Sequence, residues 1–407
     1  MTRVAKHPAK HPAKRAAKRA AVGRPRTPPG VHPTVSPALT SPFELANGRT
    51  LPPLLFATNR AALAHRIGHE TTDAVLTAIR AAGHIVCDTL PAGATSPTRA
   101  IAAVRRQLAR HPHVAGVVLL GGYEVVPAER LDCLPPRLRA RVGSGGDPDD
   151  FIVWSDDAYG DVDGDRIPDL PVSRIPDGRS AALVVAALGA SAISAARSRR
   201  GIRNVARPFA DAIFETLPGQ GSMLRSSPTR HDQNPPFSLD AAFVYLALHG
   251  LPHNGTGFWG EEGHRHPKAV VSANVPSRRG VIAFTGCCYG ALTVDGPANL
   301  IATGIAPATR PPSESVALSF LERGARAFVG CTGLHYSPVQ PPYDYFGAPL
   351  HEAFWRAVKH GSPPAKALLQ AKHHFIRGMP HGQDENSVSE AIEFKTFREF
   401  TCLGLGW

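Results

Sequence analysis

Two dipeptides in this chain could carry nucleophilic chemistry, His249-Gly250 and Gly286-Cys287, and each closes an apolar run. Phe243-Val244-Tyr245-Leu246-Ala247-Leu248 leads into the first, and Val281-Ile282-Ala283-Phe284-Thr285 into the second. Short runs rich in Val, Ile and Phe are what a parallel sheet buried on both faces requires. In open α/β sheets, chemistry gathers just beyond the carboxyl ends of the strands. Neighbouring strands ending in His and Cys would set an imidazole beside a thiol. A nearby imidazole lowers the pKa of a thiol and can later protonate a leaving amine, so the expected chemistry is attack by a thiolate.

Cys287 is the expected nucleophile and His249 the acid–base group. Cys288 competes as the adjacent residue. Gly286 decides for Cys287, because a residue without Cβ directly before the nucleophile lets a substrate backbone approach. Neighbours on a strand point to opposite sides, which would turn Cys288 into the core as a small hydrophobe. Cys331, after Phe328-Val329-Gly330, is a third candidate of the same type. A zinc site made from His249, His253 and Cys287 or Cys288 is the metal alternative. The absence of His-Glu-x-x-His and of Cys-x-x-Cys disfavours it.

A second chemical segment is Asp161-Val162-Asp163-Gly164-Asp165, followed by Asp169 and preceded by Asp157. Carboxylates at alternate positions of a short turn are what calcium takes. The twelfth position counted from Asp161 is Val172 rather than Glu, so the loop is not an EF-hand. It reads either as a structural calcium site on Asp161, Asp163 and Asp165 or as a solvated acidic turn. The thiolate chemistry itself requires no cofactor.

The elements that must hold these residues alternate strand and helix from Leu51 onward. Residues 54–57, 85–87 and 117–120 read as strands, with helices over 60–82 and 97–111 between them. The rhythm resumes with strands at 243–248 and 281–285, a helix near 313–323, a strand at 327–330, helices within 347–376 and an apolar segment at 400–405. This pattern predicts an α/β/α sandwich on a mainly parallel sheet. The apolar run from Ala181 to Ala196 reads as a packed helix. The expected organisation is a tail over residues 1–50 and one domain over 51–407, with a division into two sublobes near 200–240 as a variant.

The order of these motifs resembles that of the caspase-like superfamily of cysteine peptidases, most closely the gingipain-type enzymes. That superfamily has a hydrophobic run ending in His-Gly, followed by one ending in Ala-Cys or Gly-Cys, and Cys287-Cys288-Tyr289-Gly290 is similar to its Cys-x-x-Gly. Asp156-Asp157-Ala158-Tyr159-Gly160 through Ile175-Pro176 is similar to the stretch upstream of the gingipain-type histidine, with Ser173 where Gly is usual. Leu119-Leu120-Gly121-Gly122-Tyr123-Glu124-Val125-Val126-Pro127 is similar to a further strand–loop pattern. The resemblance covers roughly residues 51–407. It implies a caspase-like fold, a cysteine endopeptidase acting through an acyl-enzyme, and a peptide or protein substrate. It also implies an oxyanion hole from the N–H groups of Gly250 and Cys287, and a cleft lined by Trp259. Asp169 stands where those enzymes carry a Glu that orients the histidine, which leaves a Cys-His dyad or a Cys-His-Asp triad. Glu261 and Glu262 either attract a basic substrate side chain or lie on the surface.

Composition bounds what else the chain could do. Of its 407 residues, 43% are apolar, enough for a large core. The formal charge of +12 is concentrated: residues 1–27 hold nine Lys or Arg and no acid. Removing those nine from 45 leaves 36 basic residues against 33 acidic ones. The repeat Lys6-His7-Pro8-Ala9-Lys10-His11-Pro12-Ala13 and recurrent Pro to Pro42 predict disorder. Residues 3–26 read as an electrostatic arm for nucleic acid or another polyanion, or as a plain solvated tail. Six cysteines without framework spacing suit a reducing compartment, and no stretch is long and apolar enough for a membrane span or signal core, so a cytoplasmic protein is expected. The rival functions are a non-catalytic caspase-fold scaffold or adaptor, and a polyanion-binding protein acting through its tail.

Overall fold

The computed structural model describes residues 45–91, 97–143, 145–190, 197–234, 237–379 and 387–407. The basic segment thus lies outside the described residues, as does the end of the Ala-rich run beyond residue 190. Fifteen strands are present among them. In chain order these are β1 (Leu55–Ala57), β2 (Ile85–Cys87), β3 (Val117–Leu120), β4 (Glu129–Asp132), β5 (Ile152–Ser155), β6 (Val172–Ile175), β7 (Ser198–Asn204), β8 (Gln220–Ser226), β9 (Phe243–Ala247), β10 (His249–Leu251), β11 (Asn254–Trp259), β12 (Lys268–Val271), β13 (Ile282–Thr285), β14 (Ala327–Cys331) and β15 (Phe400–Leu403).

Ten of them form one sheet in the order β2-β1-β3-β6-β15-β14-β13-β9-β7-β8. Its central strands are fully buried apolar runs, as in β3, β9, β13 and β14. Every neighbouring pair is parallel except β14 with β15. The sheet is therefore two parallel halves of opposite direction, joined at that antiparallel pair. The carboxyl ends of β9, β13 and β14 consequently share an edge with the amino ends of β15 and β6. A three-stranded antiparallel sheet, β10-β11-β12, grows from the end of β9, and β4 pairs with β5 separately.

Helices cover the sheet in two groups. Phe209–Thr216 and Pro364–Gly378 pack against Ala348–Lys359, while Ala181–Leu188 packs against Val316–Glu322. Their starts are set locally: Ser180 and Ser315 accept from the N–H of Leu183 and Leu318, satisfying first-turn donors. The helix expected over 60–82 is two helices, Arg60–Ile67 and His69–Ala81, because Gly68 turns the chain at φ +90°. The stretch at 200–240 carries the end of β7 and all of β8, which extend the same sheet beside β9.

Candidate active site

β9 and β13 are adjacent and parallel, with Leu246 opposite Thr285. Continuing that register sets Leu248 beside Cys287 and His249 beside Cys288. The Leu248 N–H lies 3.2 Å from the Cys287 Sγ, as the register demands.

The two cysteines differ sharply in access. Cys287 is fully buried, its Sγ held between the Leu248 N–H and the Leu246 carbonyl at 3.8 Å. Burial pushes its thiol up to about 12, against the pull of hydrogen bonds to Thr285 and Leu248 and of the Arg207 charge. Its own N–H donates to Thr285 Oγ1 at 3.0 Å. Cys287 is thus neither an open nucleophile nor a free oxyanion donor, contrary to the reading of the sequence. Cys288 is half-buried, and its thiol donates to the carbonyl of His335 at 3.5 Å. Among the described residues its N–H has no acceptor. Gly250 presses directly on it: a Cβ there would stand 1.9 Å from the Cys288 carbonyl oxygen, so only glycine permits this approach. Both cysteines lie past the end of β13, in a turn closed by the Gly290 N–H on the Cys287 carbonyl, and it is Cys288 that faces out. Tyr289, at φ +55°, then turns the chain away, its hydroxyl donating to Asp149 at 2.6 Å.

His249 is half-buried, with Nε2 2.6 Å from Asn204 Nδ2 and 3.2 Å from Glu261 Oε2. Asn204 Nδ2 also donates to Glu261 Oε2 at 3.0 Å, while Asn204 Oδ1 accepts from the Ala206 N–H. The amide orientation is therefore set, and Nδ1 of His249 has no partner among the described residues. Burial, and next the Arg207 charge, lower the His249 pKa against the opposing pull of Glu261. Partial burial works to raise the Glu261 carboxyl, and hydrogen bonds from His249 and Asn204 outweigh it, holding it below the usual glutamate value. Arg207 ties the two strand ends together, donating through Nη1 to the carbonyls of Leu248 at 2.9 Å and Gly286 at 3.1 Å.

Other sequence candidates stand elsewhere. Asp169 does not reach His249. It precedes β6, four strand spacings from β9, a lateral separation on the order of 19 Å. Its Oδ2 accepts from the Val162 N–H at 2.7 Å. The carboxylate on the histidine is Glu261, just past β11. Trp259 is the cross-strand partner of His249, but its indole is buried and forms no open cleft wall. In the acidic loop, carboxylate oxygens of Asp161, Asp163 and Asp169 lie within 4.8 Å of one another, whereas Asp165 is outside that group and caps the Ile167 N–H. Asp161 is also paired with Arg105 at 2.6 Å. The residues that sequence reasoning missed are Asn204, at the end of β7, and Arg207, in the turn that follows it.

No protein-family model and no curated protein sequence matches this chain. Solved structures do. A structure described as a protease aligns at 14% identity and TM-score 0.54, over 88% of this chain and 78% of that one. The Arg-specific cysteine proteinase gingipain R aligns at 11% identity and TM-score 0.54, over 89% and 79%. A separase–securin complex from Saccharomyces cerevisiae aligns over 58% of this chain and 14% of that one, at TM-score 0.35. The chain therefore has the caspase-like α/β/α fold that the order of its motifs implied. Among the described residues, no helix is long and apolar enough to cross a membrane.

Proposed function

We propose that the chain is a cysteine endopeptidase whose nucleophile is Cys288 and whose acid–base group is His249. The observation that carries this is the meeting of the His249-Gly250 step with a half-open thiol at the ends of adjacent parallel strands. In the working tautomer Nε2–H donates to Glu261 Oε2, the Asn204 amide keeps only its bond to that carboxylate, and Nδ1 is left bare for the thiol. Asn204 holds the Glu261 carboxylate in place, and Arg207 the two strand ends.

The steps balance as follows. Cys288 rotates off the His335 carbonyl, gives its proton to Nδ1 and attacks the scissile carbonyl carbon. The resulting oxyanion is met by the N–H groups of Cys288 and Gly250, a device worth on the order of 3 kcal/mol per donor. The imidazolium passes its proton to the amine as the C–N bond breaks, and water, deprotonated by the same imidazole, releases the acyl group. No cofactor enters, and the six free cysteines fit a reducing compartment.

An irreversible thiol-directed peptidyl probe tests the reading. Wild type and Cys287→Ala should label on one site, while Cys288→Ala and His249→Asn should not. Labelling lost only in Cys287→Ala would move the nucleophile back by one residue. Folded protein that labels in no form and cleaves no peptide would make it a caspase-fold scaffold.

A further inference from the structure

A second cluster of ligand-type side chains lies behind Cys288, formed by Cys331 at the end of β14, His335 in the loop that follows, and Glu399 immediately before β15. One ligand atom from each lies within 4.8 Å of the other two, and all three residues are buried. His335 Nδ1 is 2.7 Å from Glu399 Oε1. The other edge of that imidazole is closed off, since a Cβ on Gly347 would fall 2.2 Å from its Nε2. Glu399 Oε2 is buried without a hydrogen-bond partner among the described residues.

The charge around this cluster is unbalanced. Lys395 Nζ sits 2.7 Å from Asp147 and 2.8 Å from Asp149, with Glu399 as a third carboxyl neighbour. Three carboxyl groups thus share one ammonium in the interior. Burial first, and repulsion from Asp149 and Asp147 next, push the Glu399 carboxyl well up, with Lys395 opposing them. His335 Nε2, like Glu399 Oε2, is buried without a hydrogen-bond partner among the described residues. The Cys288 thiol, half-buried, hangs on the carbonyl of His335 itself.

We infer that Cys331, His335 and Glu399 form a zinc site whose fourth ligand is the Cys288 thiolate, so that bound zinc withdraws the nucleophile from His249. Sulfur, imidazole and one carboxylate are a zinc donor set and not a calcium or magnesium one. Zinc–ligand bonds of about 2.0–2.3 Å put tetrahedral ligand atoms roughly 3.3–3.8 Å apart, so the 2.7 Å contact of His335 with Glu399 must open. Cys288, outside the group that lies within 4.8 Å, must swing its thiol from the His335 carbonyl into it. On binding, the two thiols and the Glu399 carboxyl lose their protons to solvent, and the metal takes the place of those protons among the ligand atoms. The inhibitory consequence rests on the peptidase reading; the binding does not.

The test uses the full metal-free chain with cobalt(II) as spectroscopic probe and chelator-buffered zinc. One cobalt per chain with a near-ultraviolet thiolate-to-cobalt band is expected, and zinc should protect Cys288 from iodoacetamide, read by peptide mass. Cys331→Ser and Glu399→Gln should each raise the zinc needed for protection by about tenfold or more, with alkylation in the absence of zinc unchanged. Cobalt uptake without a thiolate band overturns the site, and that measurement needs no variant to fold. Zinc protection undiminished in both folded variants overturns it too, placing the metal on Cys288 and His249. A chain that binds cobalt through thiolate but cleaves no peptide retains the site and loses only the peptidase reading.

Discussion

Asn204 Nδ2 lies 2.6 Å from His249 Nε2, so the end of β7 meets the imidazole at the start of β10, just past its sheet neighbour β9. The same amide reaches Glu261 at 3.0 Å, making one unit of three side chains from three strand ends. Because both Glu261 and Arg207 act on this imidazole with opposite sign, they can be separated in solution.

With a neutral imidazole required as base, kcat/KM should rise with pH through the His249 pKa, below the ordinary value of 6.5. Glu261 raises that pKa, so Glu261→Gln should move the acid limb of the pH profile to lower pH. It should also reduce kcat, on the order of tenfold to 10⁴-fold, by releasing the Nε2–H tautomer. An acid limb that stays put removes Glu261 from the site.

Arg207 lowers the same pKa, so Arg207→Met should shift the acid limb upward. Arg207→Lys keeps the charge on a shorter side chain, whose nitrogen falls short of the Nη1 position between the carbonyls of Leu248 and Gly286. It should leave the limb in place while reducing kcat. Identical profiles for the two variants would reduce Arg207 to packing.

Asp169→Asn should leave peptide turnover unchanged within about twofold, since its carboxylate serves the Val162 N–H at another part of the sheet edge. A large loss of kcat with unchanged stability would restore Asp169 as the group that orients His249.

Asp156 is the structural acid of that segment. It meets the fully buried Arg174 at 2.6 and 2.8 Å, and Arg174 also donates to the carbonyls of Gly121 and Val126. Asp156→Asn leaves a buried guanidinium without its counter-charge, so stability should fall by about 3–5 kcal/mol in denaturant titration. A loss under 1 kcal/mol would show that the carbonyls alone suffice.

How much of this was legible in the sequence varies with the physics of each part. β9 and β13 could be read because strands buried on both faces are unbroken apolar runs. β7 could not: Arg199, Arg200 and Arg203 look like a solvated stretch. In the fold Arg199 lies over the Phe214 ring, 4.6 Å away, and pairs with Glu215, while Arg203 forks onto Asp211. Alternation along a strand was the ground for sending Cys288 into the core, but β13 ends at Thr285 and both cysteines sit in the turn that follows, where alternation gives no sign of which one opens. That is decided by the turn at Tyr289. Glu261 read only as a charge for a basic substrate side chain or for the surface, because contact between β10 and β11 depends on hairpin register.

β15 sits in the middle of ten strands but is synthesised after all the others. Ser173, in β6, donates to the carbonyl of Leu405 across 232 residues of chain. While the ribosome still holds residues 400–405, β6 and β14 each present an unpaired edge, a template for association with other chains. Closure over so long a loop is slow. The nascent protein is therefore two unjoined half-sheets in need of shielding, and full assembly waits until synthesis has passed this segment.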